Sequence, residues 1–263
     1  MSSATTKKLP TPPSKLKHTF TAILLLLLFF GSGIQVDASL SKLIDGLPNM
    51  LDLLKQMVPP DWNYFSKITS AMLDTLRMAI LGTTFGAILA VPLSLLAANN
   101  IVSSPILYGS ARFLLNLIRT VPDILLAAIF VAIFGIGSLP GILALTAFSV
   151  GLIAKLLYEA IEAIDKGPLE AMTAVGANKI QWIFYAIIPQ ITAQFISFVL
   201  YTFEVNVRAA AVLGLVGAGG IGLYYEQTLG FLQYQQTSSI IIYTLVIVLL
   251  IDYVSTSLQE KLL

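Results

Sequence analysis

Residues 170–190 read EAMTAVGANKIQWIFYAIIPQ, a partly polar stretch between two strongly apolar segments. Gly176 is typical of the turn that ends a helix, because glycine readily adopts a left-handed backbone. The stretch therefore predicts two short helices, LEAMTAV and a second helix from Asn178 that continues into the next apolar segment. Such a helix-turn-helix knob favours a docking surface, and the alternative is an ordinary loop packed on its own helix bundle.

The composition around this stretch is that of a membrane protein. Of the 263 residues, 57% are hydrophobic and 11% are charged, with a mean hydropathy of +0.86. Soluble domains carry roughly 25% charged residues, so we expect an all-α membrane protein with several spans. The absence of cysteine excludes disulfides and thiolate metal sites. The single histidine, His18, argues against a histidine-based catalytic or metal site, and the balanced charge gives no indication of nucleic acid binding.

About six membrane spans are predicted from the apolar runs. Residues 1–18 are rich in Pro, Ser, Thr and Lys and are expected to form a cytoplasmic tail. The distribution of Lys and Arg among the short loops then places both termini in the cytoplasm. The first span is expected to stay attached, with cleavage as a signal peptide as the alternative. The predicted spans cover residues 19–36, 68–98, 110–135, 139–160, 183–214 and 238–258.

Residues 37–65 differ from the predicted spans in their pattern of apolar and charged residues. Apolar residues recur at helical spacing with charged residues between them, and Pro48 is expected to divide the pattern into two short pieces. We expect one or two amphipathic helices on the outer, periplasmic membrane surface. Residues 66–263 then form the transmembrane domain, with a cytoplasmic loop at residues 161–182.

Charged residues inside the spans occur in pairs at helical spacing. Residues three or four apart share one helix face, so the first interpretation is ion pairs within single helices. The alternative is that Arg208, with Glu204 as its partner, and Arg119 face a water-filled path and meet an oxyanion, which suits a guanidinium group. The four pairs are Asp74 with Arg77, Arg119 with Asp123, Lys155 with Glu159, and Glu204 with Arg208.

Two groups of glycines are notable. Gly82 and Gly86 form a G-x-x-x-G pattern, which permits close approach of two helices. The stretch GLVGAGGIG at residues 214–222 is not a dinucleotide fingerprint, because no βαβ pattern surrounds it. We expect these glycines to bring backbone close to a neighbouring element or to form a tight, gate-like turn.

The opening stretch resembles the E-A-A-x3-G-x9-I-x-L-P signature of ABC importer permeases. The matching residues are Glu170-Ala171-Met172, Gly176 and Ala186 to Pro189, with apolar departures at Met172, Ala186 and Ile188. The resemblance implies a type I-like permease fold in which this loop is the coupling helix, seated in a cleft of an ATPase subunit. Glu170, Ala171 and Gly176 would then form the core of that interface, with Pro189 completing the signature.

Three further stretches, at residues 119–137, 151–165 and 204–222, resemble the phosphonate, phosphite and phosphate branch of these permeases. The resemblance implies import across the bacterial inner membrane by alternating access. It also implies that two copies of the chain work with a cytoplasmic ATPase dimer and a periplasmic or lipid-anchored substrate-binding protein.

In such a complex this chain would contact membrane lipid and no nucleic acid, and it would be a transport subunit rather than an enzyme. It would bind no metal or cofactor itself, since ATP and Mg would be bound by the ATPase. The alternatives are a methionine-type importer permease and, less consistent with the absence of a clear internal repeat, a secondary transporter.

Overall fold

The computed structural model describes residues 15–36 and 39–262, and the regular structure of these residues is entirely helical. The chain divides into two units, residues 1–55 and 56–263. A π-helical turn, Ile183–Ile187, joins α8 to α9, and a 3₁₀ turn, Gly214–Val216, follows α9. The α-helices are α1 Lys15–Gln35, α2 Leu40–Gln56, α3 Tyr64–Ala97, α4 Pro105–Thr120, α5 Asp123–Phe134, α6 Ser138–Glu162, α7 Gly167–Ala174, α8 Lys179–Trp182, α9 Ile188–Leu213, α10 Ile221–Gly230 and α11 Tyr234–Leu262.

The first unit contains α1 and most of α2. Helix α1 begins at Lys15, four residues before the predicted span, and the rest of the predicted tail lies outside the described residues. Helix α2 is continuous, so the expected division at Pro48 is wrong. Proline removes one N–H donor from the helix, and the residues on both sides of Pro48 nevertheless keep helical geometry.

The prediction of about six spans is confirmed by the length and composition of the described helices. Five helical segments are long and apolar enough to cross a membrane, and α4 with α5 forms a sixth candidate that is bent by 84°. The span predicted over residues 110–135 therefore corresponds to two helices with a sharp bend between them, a bend that the sequence analysis did not predict. Val121 has an extended backbone and Pro122 caps α5, because proline disfavours helical geometry in the residue before it.

The centre of the second unit is the packing of α3 against α6. A Cβ atom added to Gly82 would lie 2.5 Å from Leu145 Cβ, and one added to Gly86 would overlap with Ser149 Cβ. Only residues without a side chain permit this approach, and each lies one helical turn from the other. The G-x-x-x-G pattern therefore forms a close helix contact, as predicted.

The glycine stretch after α9 brings backbone into contact with two other elements. The Gly137 N–H donates to the Gly217 carbonyl at 3.0 Å, and the Ile221 N–H donates to Thr75 Oγ1 at 2.8 Å. Gly219 has φ +84°, and a Cβ there would lie 2.9 Å from the backbone of Ser138. The expectation of close backbone approach is confirmed, and the contacts join the glycine stretch and the start of α10 to α3 and to the start of α6.

Candidate functional site

Helices α7 and α8 form the helix-turn-helix knob that the sequence predicts. Gly176 has φ +75°, and the N–H groups of Gly176 and Ala177 donate to carbonyls of the last turn of α7 at 3.1 and 3.0 Å. Helix α8 begins with a capping box, because the Asn178 side chain accepts from the Gln181 N–H while the Gln181 side chain accepts from the Asn178 N–H, both at 2.9 Å. These local bonds explain why a sequence this short folds into two defined helices.

The knob has one anchored face. The Leu169 side chain is buried in an apolar cluster with residues of α3, α6 and α9. Trp182 Nε1 donates to the Leu169 carbonyl at 2.9 Å and thereby ties α8 to α7. Lys179 Nζ donates to the Ile101 carbonyl, at 3.4 Å, in the connection between α3 and α4. The knob is therefore held against the bundle by both apolar and polar contacts.

Three of the predicted interface residues lie on the knob and are exposed. Glu170, Ala171 and Gly176 are all exposed on α7 and its C-terminal turn. Within the described part of the chain, the Glu170 carboxylate makes no ion pair. These residues are therefore accessible on a knob that is held against the bundle by Leu169 and Trp182.

Pro189 is the fourth predicted interface residue. It lies in the first turn of α9, directly after the π-helical turn Ile183–Ile187, and is exposed. The neighbouring Gln190 joins the α6–α7 connection to the π-helical turn. Its Oε1 accepts from the Asp165 N–H at 3.0 Å, and its Nε2 donates to the Ala186 carbonyl at 2.7 Å. The position of Pro189 suits a role in shaping the start of α9.

The predicted pair on α9 is formed. Arg208 Nη2 lies 2.7 Å from Glu204 Oε1, and the side chains are 50% and 11% exposed respectively. The pair therefore places its carboxylate inside the bundle and its guanidinium at the surface of the chain. The Arg208 guanidinium remains accessible to an anion from the exposed side.

Arg119 is separate from that pair. It is the last but one residue of α4 and is exposed, and a Cβ on Gly151 of α6 would lie 2.6 Å from its Cγ, so its alkyl stem packs on α6. The expected Arg119–Asp123 ion pair is absent from the described residues. The bend between α4 and α5 interrupts the helical spacing, and Asp123 Oδ1 instead accepts from the Ile124 N–H at 2.9 Å.

The remaining intrahelical pairs are confirmed. Arg77 Nη1 lies 2.8 Å from Asp74 Oδ1, and Lys155 pairs with Glu159. Lys155 Nζ also donates to Tyr158 Oη at 2.8 Å. These charges are neutralised within their own helices, as the spacing predicted.

A buried amide on α9, that of Asn206, was not predicted from the sequence. Asn206 is fully buried, and its Nδ2 donates to Thr83 Oγ1 on α3 and to Ser149 Oγ on α6, both at 2.7 Å. Its Oδ1 is buried without a protein partner. One carboxamide therefore joins the three helices that form the centre of the bundle. No sequence spacing signals it, because its partners are 123 and 57 residues away.

Metal ligands are not gathered anywhere in residues 15–36 and 39–262: no three His, Cys, Asp or Glu side chains are close enough to hold an ion. The polar groups that the fold does bring together are amides, hydroxyls and ion pairs. Such groups can bind an anion weakly or hold helices together.

Comparison with known proteins assigns the family. Residues 90–262 match the family described as binding-protein-dependent transport system inner membrane component. The chain is 40% identical over 220 residues to the phosphite transport system permease protein PtxC of Stutzerimonas stutzeri, a match that covers 84% of this chain and 80% of that protein. It is 38% identical over 228 residues to the phosphate-import permease protein PhnE of Mycolicibacterium smegmatis, covering 87% of this chain and 43% of that protein.

The fold also matches solved structures. An inward-facing structure of the MetNI methionine ABC transporter aligns with a TM-score of 0.69 at 22% identity, over 77% of this chain and 99% of that chain. Identity at this level shows a shared fold and does not bear on the substrate. The secondary-transporter alternative is wrong, and the sequence relatives favour the phosphorus-oxyanion branch over the methionine alternative. The chain belongs to the family of binding-protein-dependent transport inner membrane components and has the fold of an ABC importer permease.

Proposed function

We propose that this chain is the membrane-spanning subunit of an ATP-driven importer for a phosphorus oxyanion, namely phosphonate, phosphite or phosphate. The observation that carries the proposal is the similarity to permeases named for phosphite and phosphate transport, at 36–40% identity over more than four fifths of the chain. Selectivity among these anions would reside mainly in a separate substrate-binding protein.

The partners follow from the exposed face of the knob. Glu170, Ala171 and Gly176 would seat in a cleft of a cytoplasmic ATPase, which binds ATP and Mg while this chain performs no catalysis itself. The contacts that hold the knob against the bundle support the proposal, because movement of an anchored knob is transmitted to the helices on which it packs. A second copy of the chain would complete the path, and a periplasmic or lipid-anchored binding protein would deliver the anion.

The position in the membrane follows from the same assignment. The chain would lie in the bacterial inner membrane with both termini and the knob in the cytoplasm. Helix α1 would add a span, and α2 would lie on the periplasmic membrane surface with its apolar stripe in the lipid. The amphipathic pattern of α2 and the unburied, apolar surface of α1 support this arrangement.

The anion path would include Arg208, Glu204 and Arg119. An exposed guanidinium held by a buried carboxylate on the same helix keeps its geometry while it remains available to a passing anion. Partial neutralisation by Glu204 also keeps the attraction weak, which transport requires because the anion must leave again. Arg119 would provide a second positive site on another helix.

The test is uptake by the complete transporter, reconstituted with its ATPase and binding protein in liposomes. We expect ATP-dependent uptake of phosphite, phosphate or methylphosphonate and none of methionine. Arg208→Gln is expected to reduce uptake about tenfold or more, consistent with the loss of one charged hydrogen bond, while the complex still assembles. Lys55→Gln is the control, because it neutralises the cation of an exposed ion pair in α2.

Two results would contradict the proposal in different ways. Uptake of methionine without any response to phosphorus oxyanions would move the chain to the neighbouring branch of the family. Unchanged oxyanion uptake in Arg208→Gln would keep the importer and remove this residue from the path.

A further inference from the structure

The connection between α3 and α4 is held by an ion pair that joins α4 to α6. Arg112 of α4 pairs with Glu162, the last residue of α6. Arg112 Nε also donates to the Ala97 carbonyl at the end of α3, at 2.8 Å. The Glu162 carboxylate accepts a further bond, from the Asn99 N–H at 2.7 Å. The ends of α3 and α6, the middle of α4 and the connection are therefore held together by two side chains, which we call the Arg112–Glu162 clamp.

Aromatic rings hold the guanidinium in place. The guanidinium carbon of Arg112 lies 5.1 Å from the Tyr108 ring centroid and 4.8 Å from that of Tyr158. The Arg112 and Glu162 side chains are only 28% and 23% exposed. A half-buried, bonded and stacked ion pair has one strongly preferred geometry, unlike an exposed pair on a helix surface.

The connection touches the knob on its other side. Lys179 at the start of α8 donates to the Ile101 carbonyl at 3.4 Å. The Asn100 side chain donates to the Ile161 carbonyl of α6 at 2.7 Å. Residues 98–104 thus lie between the Arg112–Glu162 clamp and the knob, and contact both.

A cavity of about 610 Å³ lies between Glu162 of the clamp and α7. It is lined by residues of the connection, of the end of α6 and of the knob, including Asn99, Asn100, Glu162, Leu169, Glu170 and Trp182. Beside the cavity, Leu169 of α7 is buried in the same apolar cluster as Ile161 of α6. The knob therefore contacts α6 directly, and it contacts the α3–α4 connection through the bond from Lys179 to Ile101.

We propose that Arg112 and Glu162 are positioning residues of the transport cycle, which make the α3–α4 connection rigid so that movement of the knob moves α3, α4 and α6 together. The inference rests on the proposed function, since it requires an ATPase that moves the knob. Without the clamp, the knob can still dock on the ATPase, but its displacement is absorbed by a slack connection. Loss of the clamp therefore separates ATP hydrolysis from transport.

The experiment measures anion transported per ATP hydrolysed by the complete complex in liposomes. For Arg112→Gln and Glu162→Gln we expect normal assembly, binding-protein-stimulated ATP hydrolysis, and a transport-to-hydrolysis ratio that falls about fivefold or more, the lower end of typical coupling between sites. The double variant is expected to be no worse than either single variant, because each already breaks the same pair. Lys55→Gln, in the exposed pair of α2, is expected to keep the wild-type ratio.

An Arg112→Lys variant tests the geometry separately from the charge. Lysine retains the positive charge but cannot pair with Glu162 while it bonds the Ala97 carbonyl through a second nitrogen. A partial loss of the ratio is therefore expected.

The inference would be overturned by an unchanged ratio in Arg112→Gln and Glu162→Gln. Parallel loss of hydrolysis, transport and assembly would also overturn it, because that outcome shows a pair that only stabilises the fold. Failure of the proposed function looks different: the wild-type chain would then bind no ATPase or transport nothing, and no ratio would exist for any variant.

Discussion

Gly86→Ala tests the close packing of α3 on α6. The added Cβ would overlap with Ser149 Cβ and would lie 3.3 Å from the Ser149 backbone. Carbon atoms pack best at about 3.5–4.0 Å, so the two helices must separate locally. Overpacking of this kind costs about 1–3 kcal/mol, and we take the upper end because backbone must move.

This loss of stability is partly offset, because alanine is a better helix former than glycine by about 1 kcal/mol. The net loss is then about 2 kcal/mol, which corresponds to a fall in melting temperature of about 4–8 °C for a chain of this size. Thermal unfolding of the purified protein in detergent measures it. Gly109→Ala is the matched control: it is the same substitution in α4, where nothing lies within 4 Å of the new Cβ, and it should leave the melting temperature unchanged or raise it.

A second substitution identifies the contact. Ser149→Gly removes the atom that Gly86→Ala meets, so the loss in the double variant should be smaller than the sum of the two single losses by about 1–2 kcal/mol, within the range for residues in contact. Equal melting temperatures for Gly86→Ala and Gly109→Ala, or strictly additive losses in the double variant, would refute the packing argument.

Two other substitutions test the knob and the buried amide. Gly176→Val places a β-branched residue at φ +75° and should destabilise the turn by about 1–2 kcal/mol. The loss should appear as faster proteolysis of the α7–α8 turn and as weaker ATPase binding. Gly176→Asn should have a smaller effect, and equal behaviour of the two variants would contradict the turn geometry. Asn206→Ala removes two interhelical bonds of 2.7 Å, each worth about 0.6 kcal/mol in a membrane protein, and should lower the melting temperature by about 2–5 °C. An unchanged melting temperature would show that the amide does not hold the three helices together.

Local features of the fold were predictable from the sequence. Long apolar runs predicted the spans, and Gly176 predicted the turn of the knob, because each depends on residues close together in the chain. The bend at Val121–Pro122 was missed, since a continuous apolar run conceals one extended residue. Pro48 led to the opposite error, because a proline weakens a helix without always ending it.

Contacts between distant residues were not predictable in the same way. Arg112 and Glu162 are 50 residues apart, and helical spacing pairs Arg112 with no charged residue. Asn206 is a single amide in an apolar helix, and only the packing of three helices gives it its partners. The predicted Arg119–Asp123 ion pair is not formed, because the chain bends between the two residues and they no longer share one helix face.

The π-helical turn Ile183–Ile187 has a consequence for how the length of this region can vary. A π turn accommodates one residue more than an α-helix does without rotating the helix that follows. Deleting one residue within this turn should therefore leave Asn206 and Arg208 facing the same directions as before. Deleting one residue farther along α9, before Asn206, would instead turn everything beyond it by about 100° and carry Asn206 away from its partners on α3 and α6. Among related sequences, single-residue gaps in this helix should consequently fall at the turn and not beyond it.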